Sequence, residues 1–305
     1  MRHLFPLWVL VLCVSDSGAA ETFTVATYNL ESYLVHATGG RPAKAEVSRA
    51  KVHESLLAIR ADVVALQELG SLGALLKLRG ELEQAGLVYP YWEHVTGFDT
   101  NIQVAVLSRF PFHARQPHTN EGFLLYGKRF RVSRGFAEVE VRVHERYRFT
   151  LLTAHLKSRR ESAAADQAEL REQEAMRLRR IIEGRLAVQP DLNLVVLGDF
   201  NDHPDSTSLR MIQARGRKTA LIDTRPSERN ANGSVDEDSG LRSRQVTWTH
   251  FFEKEDVYSR IDYILVSRGM AREWDRAGTY VLRLPGWGIG SDHRPVVARF
   301  QAADR

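Results

Sequence analysis

Polar side chains suited to acid–base and metal chemistry stand at the ends of several apolar segments of this 305-residue chain. The segment NLVVLGDFNDHPDS (193–206) shows the pattern most clearly, because its apolar run ends in Asp199 and Asn201. The other members of the set are Asn29, Glu68, His155, Asp262, Asp292 and His293. Each residue alone has an ordinary explanation: a turn or helix cap for Asn29 or Glu68, a hydrogen-bonded structural role for the histidines, a surface position for Asp262. Together they predict one rim, where strand ends hold polar groups rigidly.

These residue types restrict the chemistry. The sequence has no Gly-x-Ser-x-Gly elbow, which argues against an α/β-hydrolase, and no phosphate-cradling Gly-x-x-x-x-Gly-Lys-Ser/Thr run. Carboxylates and amides are hard oxygen ligands that suit Mg²⁺ or Mn²⁺, with Ca²⁺ as an alternative. Imidazoles suit general acid–base work near neutral pH. Metal-assisted attack of water on a phosphate ester needs these parts.

The elements that must position these residues alternate along the chain. Helices are predicted at 45–60, 71–86 and 162–186, and Gly86 is the expected C-cap of the second. A shorter helix, STSLRMIQ, is expected to be capped by Asp202, Asp205 or Ser206. Strands are predicted at 22–30, 61–68, 101–109, 135–143, 148–156, 193–200, 260–267 and 294–300. This mixture predicts a single layered α/β domain.

Local patterns add detail to this outline. The runs VVALQ and LVVLG are apolar throughout, which predicts strands covered on both faces. AEVEVRV alternates apolar and charged residues, which predicts a half-exposed strand. The polar, turn-rich stretch 225–245 reads as a surface loop.

The N-terminus reads as an export signal. Arg2 precedes an apolar core, and small residues end at Ala20, so residues 1–20 are expected to be a secretory signal peptide that leaves a domain of 21–305. The only cysteine, Cys13, lies inside this segment, and a lipoprotein anchor there is the less favoured alternative. We expect a secreted or periplasmic mature protein without disulfides.

Composition places the chain among ordinary soluble globular proteins. Hydrophobic residues make up 43% and charged residues 26%, which is not the balance of a disordered chain. The formal net charge of +4 is compatible with a polyanionic substrate, but most proteins with this balance bind no nucleic acid. No obligate protein partner is indicated.

Five short motifs, in fixed order, resemble those of the endonuclease/exonuclease/phosphatase superfamily. They are TYNL (27–30), LQE (66–68), GDFN (198–201), RIDYIL (260–265) and SDHRPV (291–296). The resemblance extends over 22–300. It implies a four-layer α/β sandwich, with two packed mixed sheets flanked by helices, and a divalent-metal-dependent phosphoester hydrolase.

The resemblance also implies roles for the residues. Glu68 would be the principal metal ligand, assisted by Asn29 and Asp292. Asp199 and Asn201 would orient the attacking water and the phosphate or hold a second ion. His293 would act as base or contact the phosphate, with Asp262 fixing its tautomer, and His155 would donate to a phosphoryl oxygen or the leaving group. Whether Asp199 or His293 takes the proton of the water stays open, and Lys157 and Ser158 are weaker candidates for phosphate contact.

Departures from the patterns of known subfamilies narrow the range of candidate substrates. His155 stands where abasic-site enzymes tend to carry Tyr-x-Pro-Asn, and Asp202-His203 differs from inositol 5-phosphatases. Five basic residues expected near the rim favour nucleic acid as the substrate, namely Arg129, Arg131, Arg134, Lys157 and Arg159. A secreted nuclease is therefore the leading hypothesis. The alternative is a sphingomyelinase-like hydrolase of phospholipids or small phosphoesters, which would dock through GFLLYG (122–127) or LPGWGIG (284–290). A catalytically silent binding module is disfavoured, because no site residue is missing.

Overall fold

The computed structural model describes residues 21–230 and 247–303. The proposed signal peptide at 1–20 lies outside the described residues, as does most of the stretch 225–245. Among the described helices, none is both long and apolar enough to cross a membrane.

The larger of two mixed sheets has seven strands. Their spatial order is β12 (Ser227–Asn230), β16 (Trp274–Arg283), β17 (Val296–Gln301), β1 (Thr22–Tyr33), β2 (Val63–Leu69), β4 (Gln103–Ser108) and β3 (Tyr91–Val95). The central strand β1 runs parallel to β2 and antiparallel to β17. Because β17 runs antiparallel to β1, the last residues of β1 and β2 lie at the same end of the sheet as the first residues of β17.

The second sheet has six strands with the same mixed character. Their spatial order is β11 (Ile222–Asp223), β15 (Asp262–Val266), β10 (Leu194–Asp199), β9 (Tyr147–His155), β8 (Phe136–His144) and β5 (Phe112–His118). β10 runs parallel to β9 and antiparallel to β15. Two small hairpins stand outside the sheets: β6 (Gly122–Leu125) with β7 (Lys128–Arg131), and β13 (His250–Phe252) with β14 (Val257–Ser259).

Three apolar clusters define four layers. One cluster lies between the two sheets and contains Val25, Val106, Leu151 and Val195. A second packs α1 (Glu46–Ile59) and α2 (Leu72–Gln84) on the larger sheet, and a third packs α3 (Gln167–Val188) and α4 (Thr207–Gln213) on the smaller one. A short helix, α5 (Arg268–Glu273), links β15 to β16. The predicted four-layer α/β sandwich is confirmed.

Several local expectations are confirmed as well. The strands β2 and β10 are buried on both faces, as their continuous apolar runs predict. Ser206 caps α4 by accepting from the Leu209 N–H at 3.3 Å, and Gly86 follows α2 with φ of +79°.

Other expectations were wrong in detail. The long helix begins at Gln167 instead of 162, because the Asp166 side chain accepts hydrogen bonds from the Ala168 and Glu169 N–H groups and so caps it there. The strand β8 is not half-exposed over its whole length, since Glu138 is buried between His118 and Arg185.

Candidate functional site

The polar residues at the strand ends lie at one end of the sandwich. β1, β2, β9 and β10 end there, while β15 and β17 run in the opposite direction and begin there. In the smaller sheet, Asp199 pairs in register with His155 on one side and Asp262 on the other. The topology of the two sheets thus explains why residues far apart in sequence form one site.

A continuous series of short distances joins five of these side chains. Glu68 Oε1 lies 4.0 Å from His155 Nε2, which lies 3.5 Å from Asp199 Oδ2. Asp199 Oδ2 is 3.8 Å from His293 Nε2, and that nitrogen is 3.7 Å from Asp292 Oδ1. The residues that sequence motifs single out therefore share one pocket.

Two asparagines hold the central carboxylate, Asp199. The Asn29 side-chain amide donates to Asp199 Oδ2 at 2.9 Å, which links the two sheets. The Asn201 N–H donates to Asp199 Oδ1 at 2.8 Å, and its side-chain amide donates to Oδ2 at 3.2 Å and to the Leu156 carbonyl at 3.0 Å. Asp199 is buried and oriented by three donors.

His293 is held just as firmly. Its Nδ1 lies 2.8 Å from Asp262 Oδ2, and its backbone N–H donates to the Ser291 hydroxyl at 3.0 Å. The Ser291 hydroxyl donates in turn to the Asn29 carbonyl at 2.8 Å. Asp262 is itself fixed, because its backbone N–H donates to the Thr249 hydroxyl at 3.1 Å. With Nδ1 held by a carboxylate, Nε2 is the nitrogen that faces the pocket.

The backbone around the site adopts uncommon conformations. Glu68 and Asn201 have φ of +56° and +53°, the left-handed region that non-glycine residues seldom occupy. Gly198 has φ of +139°, and a Cβ there would collide with the Ala154 carbonyl oxygen on the neighbouring strand. The glycine of GDFN is thus required for β10 to approach β9 and deliver Asp199 to the pocket.

Burial and charge shift the protonation equilibria. Burial, together with the negative charge of Asp262, raises the pKa of Asp199 to about 7 although the His293 charge opposes it. Burial alone would lower the pKa of His293, but the charges of Asp262 and Asp199 outweigh it and raise that pKa well above its usual range. Burial and the Arg134 charge lower the pKa of His155 well below its usual range. Burial therefore favours the neutral form of the His155 imidazole.

The donor set fits a hard divalent cation. Ser32 donates through its N–H and hydroxyl to Glu68 Oε2 at 2.9 and 3.1 Å, which orients the carboxylate and leaves Oε1 toward His155. The pKa of Glu31 is raised by burial and by the negative charges of Asp292 and Glu68. Several carboxylates therefore lie close together on this side of the pocket. Carboxylate and amide oxygens of the kind that Asn29, Glu68 and Asp292 offer suit Mg²⁺, Mn²⁺ or Ca²⁺.

The two weaker phosphate candidates, Lys157 and Ser158, contact each other and their own loop. The Lys157 ammonium donates to the Ser158 and Arg160 carbonyls at 3.3 and 3.2 Å, and Ser158 Oγ lies 3.5 Å from the same nitrogen. Lys157 remains near enough for its charge to help lower the pKa of His155. Burial, reinforced by the charge of Arg134, also lowers the pKa of Lys157 itself.

Three of the five basic residues expected at the rim already have partners. Arg134 is buried, lies 3.8 Å from Asp99 and donates to the Leu156 carbonyl at 3.4 Å. Arg159 pairs with Asp202 at 3.2 Å, and Lys157 bonds its own loop. Of the five, Arg129 and Arg131 are exposed, on the β6–β7 hairpin.

Sequence patterns missed two neighbours of the site. His250 comes from the short strand β13, and its Nε2 lies 3.5 Å from Asp292 Oδ2. Ser32 follows the apolar run of β1 by two residues and buttresses Glu68. Ser32 lies two residues after the TYNL motif, which was its only signal, and His250 had none in the sequence.

Two packed mixed sheets that bring carboxylates, amides and imidazoles together at one end define a class of α/β-sandwich hydrolases of phosphoester bonds. The chain belongs to the Endonuclease/Exonuclease/phosphatase family, whose model matches residues 26–293. No curated protein matches the chain in sequence.

Solved structures with the same fold have diverged far in sequence. Sphingomyelinase C from Streptomyces griseocarneus is 20% identical, with a TM-score of 0.59 over 92% of this chain and 100% of that one. The human Nocturnin catalytic domain with bound sulfate is 16% identical, with a TM-score of 0.60 over 92% and 94%. The 3′ phosphatase NExo from Neisseria, bound to a product DNA hairpin, is 18% identical, with a TM-score of 0.60 over 92% and 99%. At these identities the likeness shows the fold alone.

Proposed function

We propose that this protein is a divalent-metal-dependent phosphodiester hydrolase, and that nucleic acid is its favoured substrate. The observation that carries the proposal is the series of contacts from Glu68 through His155, Asp199 and His293 to Asp292. Such a set provides cation binding, water activation and phosphate contact within one pocket. The left-handed backbone at Glu68, a conformation that clusters at functional sites, adds support.

The proposed roles follow from the geometry. Asn29, Glu68 and Asp292 hold the cation, with Mg²⁺ or Mn²⁺ favoured over Ca²⁺; when bound, the ion neutralises phosphate charge and polarises the ester. Asp199 and His293, which lie 3.8 Å apart, orient the attacking water, and one of them accepts its proton.

His155 and Asn201 complete the site from the other side of Asp199. The neutral imidazole of His155 presents Nε2 to the pocket and donates to a phosphoryl oxygen or the leaving group. Asn201 holds Asp199 in place and adds a polar group for the phosphate. Asp262 fixes the tautomer of His293.

The β6–β7 hairpin supports nucleic acid as the substrate. Lys128, Arg129 and Arg131 are exposed on it, and no described carboxylate lies within 4.0 Å of them. Just beyond the hairpin, the Ser133 N–H and hydroxyl donate to the buried Glu174, each at 2.9 Å. Glu174 also accepts from the Lys157 N–H at 2.7 Å, which ties the hairpin to the strand that carries His155. This connection between the hairpin and the segment after His155 supports contact of these cations with a polyanion bound at the site.

The same hairpin supports the alternative, a phospholipid or other small phosphoester. Leu124 and Tyr126 at its tip are 67% and 74% exposed, whereas Phe123 is buried. Exposed apolar side chains beside cations are a means of docking at a membrane surface. The second docking candidate, LPGWGIG (284–290), exposes Ile289 but packs Trp287 against Trp248 at 4.9 Å between ring centroids.

One experiment separates the two substrates. The purified protein is tested with Mg²⁺ on single-stranded DNA, plasmid DNA, RNA and sphingomyelin vesicles, alongside Arg129→Glu/Arg131→Glu and Leu124→Ser/Tyr126→Ser variants. A nuclease loses activity on the polymers with the first pair and keeps it with the second. If two phosphates are contacted, the slope of log(kcat/KM) on log[salt] is about −1.4 to −1.8. Turnover of vesicles alone, abolished by the second pair, would replace the nuclease by the lipid enzyme.

Export is part of the proposal. Residues 1–20 act as a signal peptide, and the mature domain begins near residue 21 in a secreted or periplasmic protein. Mass spectrometry of the protein recovered from outside the cytoplasm is expected to show an N-terminus near Glu21. An intact N-terminus at Met1, or retention in the cytoplasm, would contradict export.

A further inference from the structure

His250 is brought beside Asp292 and His293 by backbone pairing. Two hydrogen bonds set the register, from the Phe251 N–H to the Asp292 carbonyl at 2.9 Å and from the Arg294 N–H to the Thr249 carbonyl at 2.7 Å. The rings of His250 and His293 lie 4.6 Å apart between centroids. The contact follows from the fold, because His250 in β13 forms a β-bridge with His293, in the segment before β17.

We propose that His250, Asp292 and His293 form a site for a transition-metal dication such as Zn²⁺. Nε2 of His250 lies 3.5 Å from Asp292 Oδ2, and Nε2 of His293 lies 3.7 Å from Asp292 Oδ1. One ligand atom from each residue lies within 4.8 Å of the others. Tetrahedral ligands about 2.0–2.1 Å from a zinc ion are about 3.3–3.4 Å apart, so a small contraction seats the ion.

Both imidazoles are oriented as metal ligands usually are. His293 Nδ1 is held by Asp262 Oδ2 at 2.8 Å, and His250 Nδ1 lies 3.3 Å from the Ser259 hydroxyl. Outer partners of this kind fix the ring and direct the opposite nitrogen toward the ion. In both rings that nitrogen is Nε2, the one that faces Asp292.

The ligand types select the metal. Two imidazoles and one carboxylate suit Zn²⁺, Co²⁺ or Mn²⁺, whereas Mg²⁺ prefers oxygen ligands. Three protein ligands also leave a fourth position open. This set is distinct from the oxygen ligands Asn29 and Glu68, although it shares Asp292 with them.

The site is accessible to an ion. The side chain of Asp292 is 39% exposed and that of His250 is 16% exposed, so an ion reaches the pair from solvent. The other carboxylate–imidazole group in the pocket, Asp199, Asp262 and His293, is fully buried. Three of its four carboxylate oxygens already accept hydrogen bonds, from Asn29, Asn201 and His293. The group that contains His250 is therefore the better metal site.

An ion at this site affects the proposed reaction. It occupies His293 Nε2 and Asp292, which the proposed hydrolysis needs for water activation and for Mg²⁺. We therefore expect Zn²⁺ to inhibit Mg²⁺-supported hydrolysis by competition. This consequence rests on the proposed function, whereas metal binding by the three residues does not.

The test measures binding directly. Metal-stripped protein is titrated with Zn²⁺ by calorimetry and with Co²⁺ by visible absorption, which reports nitrogen ligation. The wild type is expected to bind one equivalent at this site, and His250→Gln to bind at least about tenfold more weakly with loss of the Co²⁺ spectrum. His113→Gln, at an exposed histidine on the edge strand β5, is the matched control and is expected to bind like the wild type.

Two further variants, Ser259→Ala and Glu68→Gln, test the same site. Ser259→Ala removes only the outer partner and is expected to weaken Zn²⁺ binding about 10- to 100-fold, so it stands in if His250→Gln fails to fold. Glu68→Gln is expected to weaken Mg²⁺ binding and spare Zn²⁺. Equal Zn²⁺ affinity in wild type, His250→Gln and Ser259→Ala would overturn the site and show a metal-free ion pair of His250 with Asp292. Zinc binding without Mg²⁺-dependent hydrolysis would overturn only the proposed function.

Discussion

The side-chain amide of Asn29 donates a hydrogen bond to Asp199 at 2.9 Å across the interface between the two sheets. Asn29 lies in β1 of the larger sheet, where the pairing with β2 shifts register, and Asp199 ends β10 of the smaller one. The bond therefore couples the residues proposed to hold the cation to those proposed to orient the water. The site depends on how the sheets pack, and not on either sheet alone.

Replacement of Asn29 tests that coupling. Asn29→Ala removes one donor to Asp199 and one proposed ligand oxygen, so kcat is expected to fall about 100-fold or more. Steady-state kinetics at saturating Mg²⁺ give the value, with the exposed Asn120→Ala as control. Wild-type kcat in Asn29→Ala would show that the link between the sheets has no part in turnover.

Ser32 is expected to tune the metal affinity. Its hydroxyl donates to Glu68 Oε2 at 3.1 Å, and its φ of +53° suits glycine. Ser32→Gly removes the hydroxyl without backbone strain and is expected to weaken Mg²⁺ binding about 10- to 100-fold. The Mg²⁺ dependence of the rate, or calorimetry, measures this. An unchanged midpoint would mean that Glu68 does not bind the ion through this arrangement.

Gly198 sets the stability of the strand that carries Asp199. Gly198→Ala places a Cβ against the Ala154 carbonyl at a φ disfavoured for alanine, and a loss of about 3 kcal/mol or more in unfolding free energy is expected. Gly80→Ala in α2 meets no neighbour within 4 Å and is expected to stabilise by about 0.5–1 kcal/mol. Denaturant unfolding compares the two. Similar effects of both would refute the tight approach of β10 to β9.

The charge of Asp262 is expected to raise the pKa of His293. Since the folded-state pKa is raised, the protonated ring contributes stability that is present below the unfolded pKa and is lost as pH rises through the folded pKa. Asp262→Asn removes the nearest negative charge, so the His293 pKa falls. NMR titration of the metal-free protein measures it. An unchanged or higher pKa would contradict the 2.8 Å pairing of His293 with Asp262.

Interior elements were predictable because burial imposes long, regular patterns. The continuous apolar runs of β2 and β10 located the sheet centres, and the polar residues after such runs located the site. The strands β3, β5 and β16 were missed, because each mixes polar and apolar residues along its length. Packing, and not local sequence, stabilises such strands.

Parts of the site were not predictable for a related reason. His250 reaches Asp292 only because the segment before β14 pairs with the segment before β17, and nothing within TWTHFF indicates that pairing. Arg134 is a residue type that commonly contacts phosphate, but it lies buried beside Asp99. Contacts that depend on tertiary register leave no periodic signal in the sequence.

The most direct measurement is hydrolysis of bis(4-nitrophenyl) phosphate, a small diester that needs neither a polymer nor a membrane. Chelator is expected to abolish turnover and Mg²⁺ to restore it, while Asp199→Asn, with an unchanged circular dichroism spectrum, is expected to lower kcat at least about 1,000-fold. Turnover that survives both chelator and Asp199→Asn would contradict a metal-assisted reaction centred on Asp199.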